Sequence, residues 1–173
     1  MTDDHRLHTG TALALWQALV RDGETRSGRQ LDELRESYLV FALARHLRDG
    51  RFADRAMALE WLQAHEVHGH ARVDALQVVG DRCLLMAGLF PEQADRRRVT
   101  LDYFIDLGAG AFDAAARLAR AGQAELFARL CAGFHDLVAV LAAAAGRLQS
   151  ATAPGPCAPL AAALAVPGSR RRH

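Results

Sequence analysis

The chain has 173 residues, 51% hydrophobic and 24% charged, with a formal net charge of +1. That length and apolar content suit one domain with a real core, and the near-zero charge excludes a whole-chain field that gathers nucleic acid or acidic lipid. All 21 basic residues are arginine, asparagine is also absent and Ile105 is the only isoleucine, which points to a high-GC bacterial genome and removes every lysine-dependent chemistry.

The N-terminal MTDDHRLH lacks the basic start and apolar stretch of a secretion signal. Helical periodicity then dominates. It predicts a first helix over about 11–21, with Leu15, Trp16, Leu19 and Val20 along one side. GETRSGRQ reads as a loop. Within it Ser27 and Gln30 form a capping-box pattern that opens a second helix, to about 49, ended by Gly50. Leu31, Leu34, Tyr38 and Phe41 are its expected inner stripe. A third helix, about 54 to 65 or 66, carries Ala58, Trp61 and Leu62. The fourth, about 70–88, turns Leu76, Val79, Gly80, Cys83, Met86 and Ala87 inward. LFPE then turns the chain, because a residue before proline avoids helical angles.

The fifth helix, about 99–120, places Leu101, Phe104, Ile105, Gly108, Phe112 and Ala115 inward. The sixth, about 123–149, has the cleanest pattern, with Phe127, Leu130, Cys131, Phe134, Leu137, Val138, Leu141 and Leu148 at helical spacing. After Ser150 the composition changes, and four of the five prolines follow. No run alternates with the period of a strand. The expected fold is all-α: a single-domain bundle of about six helices over 1–149, followed by an Ala/Pro-rich disordered tail over 150–173.

Cys83, Cys131 and Cys157 are widely spaced and form no CxxC pair. Cys83 and Cys131 fall in apolar runs and read as small core residues, which fits a reducing compartment. The longest apolar runs are too short for a bilayer at ~20 residues per helix. The expectation is a soluble cytoplasmic protein with no membrane partner.

HEVHGH, residues 65–70, invites a metal reading. A zinc protease needs two histidines at i and i+4 with a glutamate after the first. Here His68 stands at i+3 from His65, and Gly69 separates it from His70. The cluster reads as a corner between the third and fourth helices, and no metal or other cofactor is expected. Asp102, Asp106 and Asp113 fall on one stripe that continues into Arg117. That stripe reads as a solvated face with Asp113 and Arg117 paired.

The segment GDRCLLMAGLFPEQADRRRVTLDYFIDLGAGAF, residues 80–112, is the most distinctive. Gly80 and Gly108 lie on the inner stripes of the fourth and fifth helices. Glycine costs a helix interior about 1 kcal/mol relative to alanine and is tolerated where backbones come close. The two helices are therefore expected to cross there. Asp81 lies beside that seam and needs a partner, for which Arg97 or Arg98 is the natural candidate. An arginine pair at the start of the fifth helix also suits an anionic ligand.

The same segment resembles the core motif of an uncharacterised all-helical protein family of proteobacteria. The matching residues are Gly80, Asp81, Gly88, Phe90, Pro91, Arg97, Arg98, Val99, Asp102, Tyr103, Gly108 and Ala111. Phe104 and Phe112 stand where that motif has tyrosine. The resemblance covers about a fifth of the chain clearly and implies a helical fold without a known reaction.

No GxSxG, GxGxxG or P-loop pattern is present, and RRRV and SRRRH are too short to point to nucleic acid. No catalytic residue is assigned. Two functional expectations follow. One is a protein-interaction or regulatory module, binding a partner protein or itself as a homodimer. The other is a small-molecule sensor or enzyme, with an anionic-ligand pocket between the fourth and fifth helices. Asp81, Phe90, Pro91, Arg97, Arg98, Asp102 and Tyr103 are the motif and ligand candidates.

Overall fold

A computed structural model describes residues 3–47, 57–92 and 100–151. Among them the fold is all-α, with seven helices and no strand. The expected tail lies outside the described residues from 152 onward.

Helix α1 (Asp3–Ser27) runs beyond both ends of its apolar stripe. Periodicity marks only the part of a helix that packs, so the polar GETRS, expected as a loop, continues the helix. Gly28 ends it with φ +66°, a left-handed conformation that glycine adopts without steric penalty. Ser27 is therefore the last turn of α1, not the cap of the next helix. Its hydroxyl donates to Glu24 O at 3.3 Å. The cap of α2 (Glu33–His46) is Asp32, whose carboxylate accepts from Arg35 N at 2.9 Å. That backbone bond, with the Arg35 guanidinium 2.8 Å away, holds the Asp32 carboxyl below the usual carboxylate range.

Helix α3 (Met57–Glu66) leads through the exposed corner at Gly69, φ +64°, into α4 (His70–Leu89). Helix α4 is the centre of the bundle, with every residue from Cys83 to Leu89 buried. It packs against α3, against α5 (Leu101–Leu118) and against α7 (Phe134–Ala151). Thr100 caps α5 by accepting from Tyr103 N at 3.3 Å. Helix α6 (Ala121–Ala132) covers α5, and α7 also lies against α1.

The expected crossing of α4 and α5 is present. A Cβ on Gly108 would stand 2.8 Å from Cys83 Cβ and would strike the Phe134 ring; one on Gly80 would strike the Phe112 ring. Phe112 is the hub of the core. Its centroid lies 5.9 Å from Tyr38, edge-on, 6.0 Å from Phe127 and 5.9 Å from Phe134.

Two expectations are corrected. The stretch expected as a sixth helix is two helices, α6 and α7, bent by 64° at Gly133. Three residues assigned inward face out: Leu34, Phe41 and Leu101. On α2 the buried set is Tyr38, Leu39, Val40, Ala42 and Leu43. Phe41 follows about 100° around from Val40, and the helix has its core side elsewhere. No single helix among the described residues is long and apolar enough to cross a membrane.

Candidate functional site

Asp81 is the one charged residue fully buried in the described core, at 0% exposure. Gly80 and Cys83 face α5, so the next position around α4, about 100° from Gly80, turns Asp81 toward α2. There the Tyr38 hydroxyl donates to Oδ1 at 2.5 Å. His46 Nε2 donates to Oδ2 at 2.9 Å, and Arg45 Nη1 reaches the same oxygen at 3.2 Å. Arg45 itself stays half in solvent, at 49% exposure.

Burial first, and then the charge of Asp81, push the Tyr38 phenol far above its ordinary ionisation range. The phenol is therefore a fixed donor at neutral pH, and Gln77 bonds to it from α4. A carboxylate, an imidazole and a phenol in one cluster are groups that move protons in enzymes. Here both carboxylate oxygens are engaged inside the protein. The arrangement clamps α2 to α4. To hold a ligand, Asp81 would first have to exchange one of these bonds.

The candidate residues of the 80–112 segment do not gather around Asp81. Arg97 and Arg98, expected as its partners, lie outside the described residues. Phe90 closes α4, its N–H donating to Met86 O at 3.2 Å, and packs against the core. Pro91 and Asp102 are exposed. Tyr103 is half-buried, edge-on to Phe104 at 5.5 Å, and burial raises its phenol. Among the described residues no hydrogen bond or ion pair joins Asp81 to Asp102 or Tyr103. The partners sequence reasoning missed are Tyr38, which it placed only on the inner stripe of α2, Arg45 and His46. Their signal was position: Tyr38 and Arg45 are seven apart, two turns along one side of α2.

Two further polar clusters brace the fold. Glu60 on α3 pairs with Arg82 on α4, both nearly buried. Among the described residues, Glu60 Oε2 is buried there without a hydrogen-bond donor. The neighbouring Cys83 thiol is pushed up to about 12, by burial first and then by the charge of Glu60. At the other end Arg29 and Arg35 flank Asp136 at the start of α7. On the surface of α5 the expected Asp113–Arg117 pair is formed.

The histidine corner is exposed. His65 Nδ1 bonds to Trp61 O at 2.8 Å, and its ring lies 4.7 Å from the Trp61 ring. Among the described residues no three His, Cys, Asp or Glu side chains converge as a metal site.

An open cleft of about 650 Å³ runs between α1 and α2. Leu13, Val40 and Phe41 give it apolar surface; Arg21, Glu33 and Glu36 line its polar side. Arg21 and Glu36 pair across it at 3.1 Å. Phe41 is 56% exposed, and Leu34, seven residues earlier on the same side of α2, is also exposed. No family model, curated protein or solved structure matches this chain.

Proposed function

We propose that this chain is a protein-interaction module whose docking face is the α1–α2 cleft. The observation that carries the reading is Phe41, a large aromatic side chain held more than half in solvent beside an apolar cleft. Leaving a phenylalanine just over half in water forgoes about 1–1.5 kcal/mol of burial, and apolar surface rimmed by polar residues is the signature of a binding groove. The shape between two helices suits a third helix, which would lay its apolar face beside Phe41. Glu33, exposed at the rim, favours a basic residue flanking those anchors. The Asp81 clamp supports the reading indirectly, by fixing the wall of the cleft from below.

The test is photo-crosslinking in the cells that make the protein, with benzoylphenylalanine placed at position 41. One discrete adduct is expected, mapping to a helical segment of a partner, with none from the same probe at the exposed Ala142. Identical patterns from both positions, or no adduct from position 41, would refute it. Phe41→Ser should leave stability within about 0.5 kcal/mol while abolishing capture.

A further inference from the structure

Residues 121–151 carry one unbroken apolar stripe. Phe127, Leu130, Phe134, Leu137, Val138 and Leu141 keep helical spacing and are all buried. Such spacing encodes a single straight helix. The structure instead bends by 64° at one residue, Gly133.

That break is shallow. Gly133 has φ −97° and ψ 11°, in the bridge region beside the helical one, with neither a positive φ nor a proline to enforce the turn. Its N–H still bonds to Arg129 O at 3.0 Å, and its carbonyl still accepts from Leu137 N at 3.0 Å. The helical ladder thus reaches the residue from both sides. Only the groups flanking the join lack helical partners, and a straight helix would pair them.

Arg35 packs into the bend. Its guanidinium lies where a Cβ on residue 133 would stand, and Asp32 holds it there at 2.8 Å. The two halves also differ in their main supports: α6 packs on α5, whereas α7 packs mainly on α1 and α4 and meets α5 through Phe134.

From this geometry we infer that Gly133 is a hinge through which two copies of this chain exchange α7, forming a domain-swapped dimer. In it α6 and α7 fuse into one straight helix of roughly 45 Å, at 1.5 Å per residue. Helix α6 stays on its own α5. Helix α7 crosses to the second copy and remakes there every contact it has in the monomer, with Asp136 beside the other copy's Arg29. Because those contacts are identical in the two states, the balance is set at the hinge and by concentration. Exchange of an identical element between two copies is a low-cost route to a dimer. The inference does not depend on the α1–α2 cleft.

The experiment compares three full-length proteins refolded at high concentration: the natural chain, Gly133→Ala and a chain with three glycines inserted after Gly133. Size-exclusion chromatography with light scattering gives the dimer share. Alanine favours a helical residue over glycine by about five-fold, and in the bent form its Cβ would also displace the Arg35 guanidinium. Gly133→Ala should therefore raise the dimer share several-fold, and the insertion should leave monomer.

Spin labels then identify the dimer. In a background with Cys131 and Cys157 replaced by serine, Arg21→Cys is carried by one population and Ala142→Cys by the other. The distance between labels on different chains should reproduce that within the doubly labelled monomer. A monomeric Gly133→Ala, a dimer that survives the insertion, or an inter-chain distance unlike the monomer's would each overturn the hinge. Should Gly133→Ala fail to fold, the natural chain against the insertion decides by the same two readouts.

Discussion

Removing the Asp81 carboxylate should be the most damaging single polar substitution in the core. Asp81→Ala leaves the Tyr38 O–H without its acceptor and removes the carboxylate that His46 and Arg45 share. Breaking a buried charged set in this way destabilises by about 3–5 kcal/mol. The parts are unequal. Tyr38→Phe removes a short bond to a charged acceptor, about 1.5–3 kcal/mol. Arg45→Ala removes a half-exposed partner that water screens, below about 1 kcal/mol. In an Asp81→Ala background the orphaned hydroxyl becomes a liability, so adding Tyr38→Phe should cost little or even stabilise. The double-mutant cycle should therefore show a coupling of at least about 1 kcal/mol. Urea unfolding followed by circular dichroism measures it, from midpoints at constant m. Additive losses would refute the clamp, as would an Asp81→Ala protein within about 1 kcal/mol of the natural one.

Gly80→Ala should destabilise by up to about 2 kcal/mol in the same assay, because overpacking against Phe112 at about 1–3 kcal/mol opposes a helix-propensity gain of about 1. Gly122→Ala, with open space around its Cβ, should be neutral or stabilising. Asp32→Ala should lose about 1 kcal/mol of capping energy whereas Ser27→Ala changes little, which separates the true cap of α2 from the one its sequence suggests. Alkaline unfolding should begin early. The Cys83 thiol stays protonated in the fold up to about 12 but ionises in the unfolded chain near 8.5–9. The native state then holds the extra proton, so stability falls with rising pH across that window, by up to about 1.4 kcal/mol per pH unit. Cys83→Ala should flatten the slope of thermal midpoint against pH between 8.5 and 10; an unchanged slope would assign it to other groups.

Periodicity reads packing, and the parts of this fold it reveals are those where packing decides. Val79, Gly80, Cys83, Met86 and Ala87 on α4, and Phe104, Ile105, Gly108, Phe112 and Ala115 on α5, are all buried as their spacing predicts. The two glycines placed the helix crossing because each omits a side chain where another element must stand. Periodicity fails where local chemistry or a distant side chain decides. The polar end of α1 has no stripe to mark it. The cap of α2 went to Asp32 because the turn that frees the chain is Gly28, after Ser27 and not before it. The bend at Gly133 leaves room for Arg35, nearly a hundred positions away in sequence, and no local pattern announces it.

The candidate site follows the same division. That Asp81 needs a partner is legible, because a carboxylate on the innermost helix cannot stay unpaired. Which partner it takes is not, since both nearby arginines and a distant helix offer charge. Tyr38, Arg45 and His46 answer by their positions along α2. This choice ties the clamp to the cleft. Helix α2 packs mainly on α1 and only lightly on α4, so the Asp81 bonds are its principal tether to the bundle centre. Tyr38 holds the inner side of the helix while Val40 and Phe41, two and three residues on, form the cleft wall. Loosening the tether should therefore change the cleft before it unfolds the bundle. Hydrogen exchange of Tyr38→Phe should show faster exchange along α2, with α4 and α5 still protected. Equal acceleration throughout would mean that α2 is held by its apolar contacts alone and that the buried carboxylate does not set the docking face.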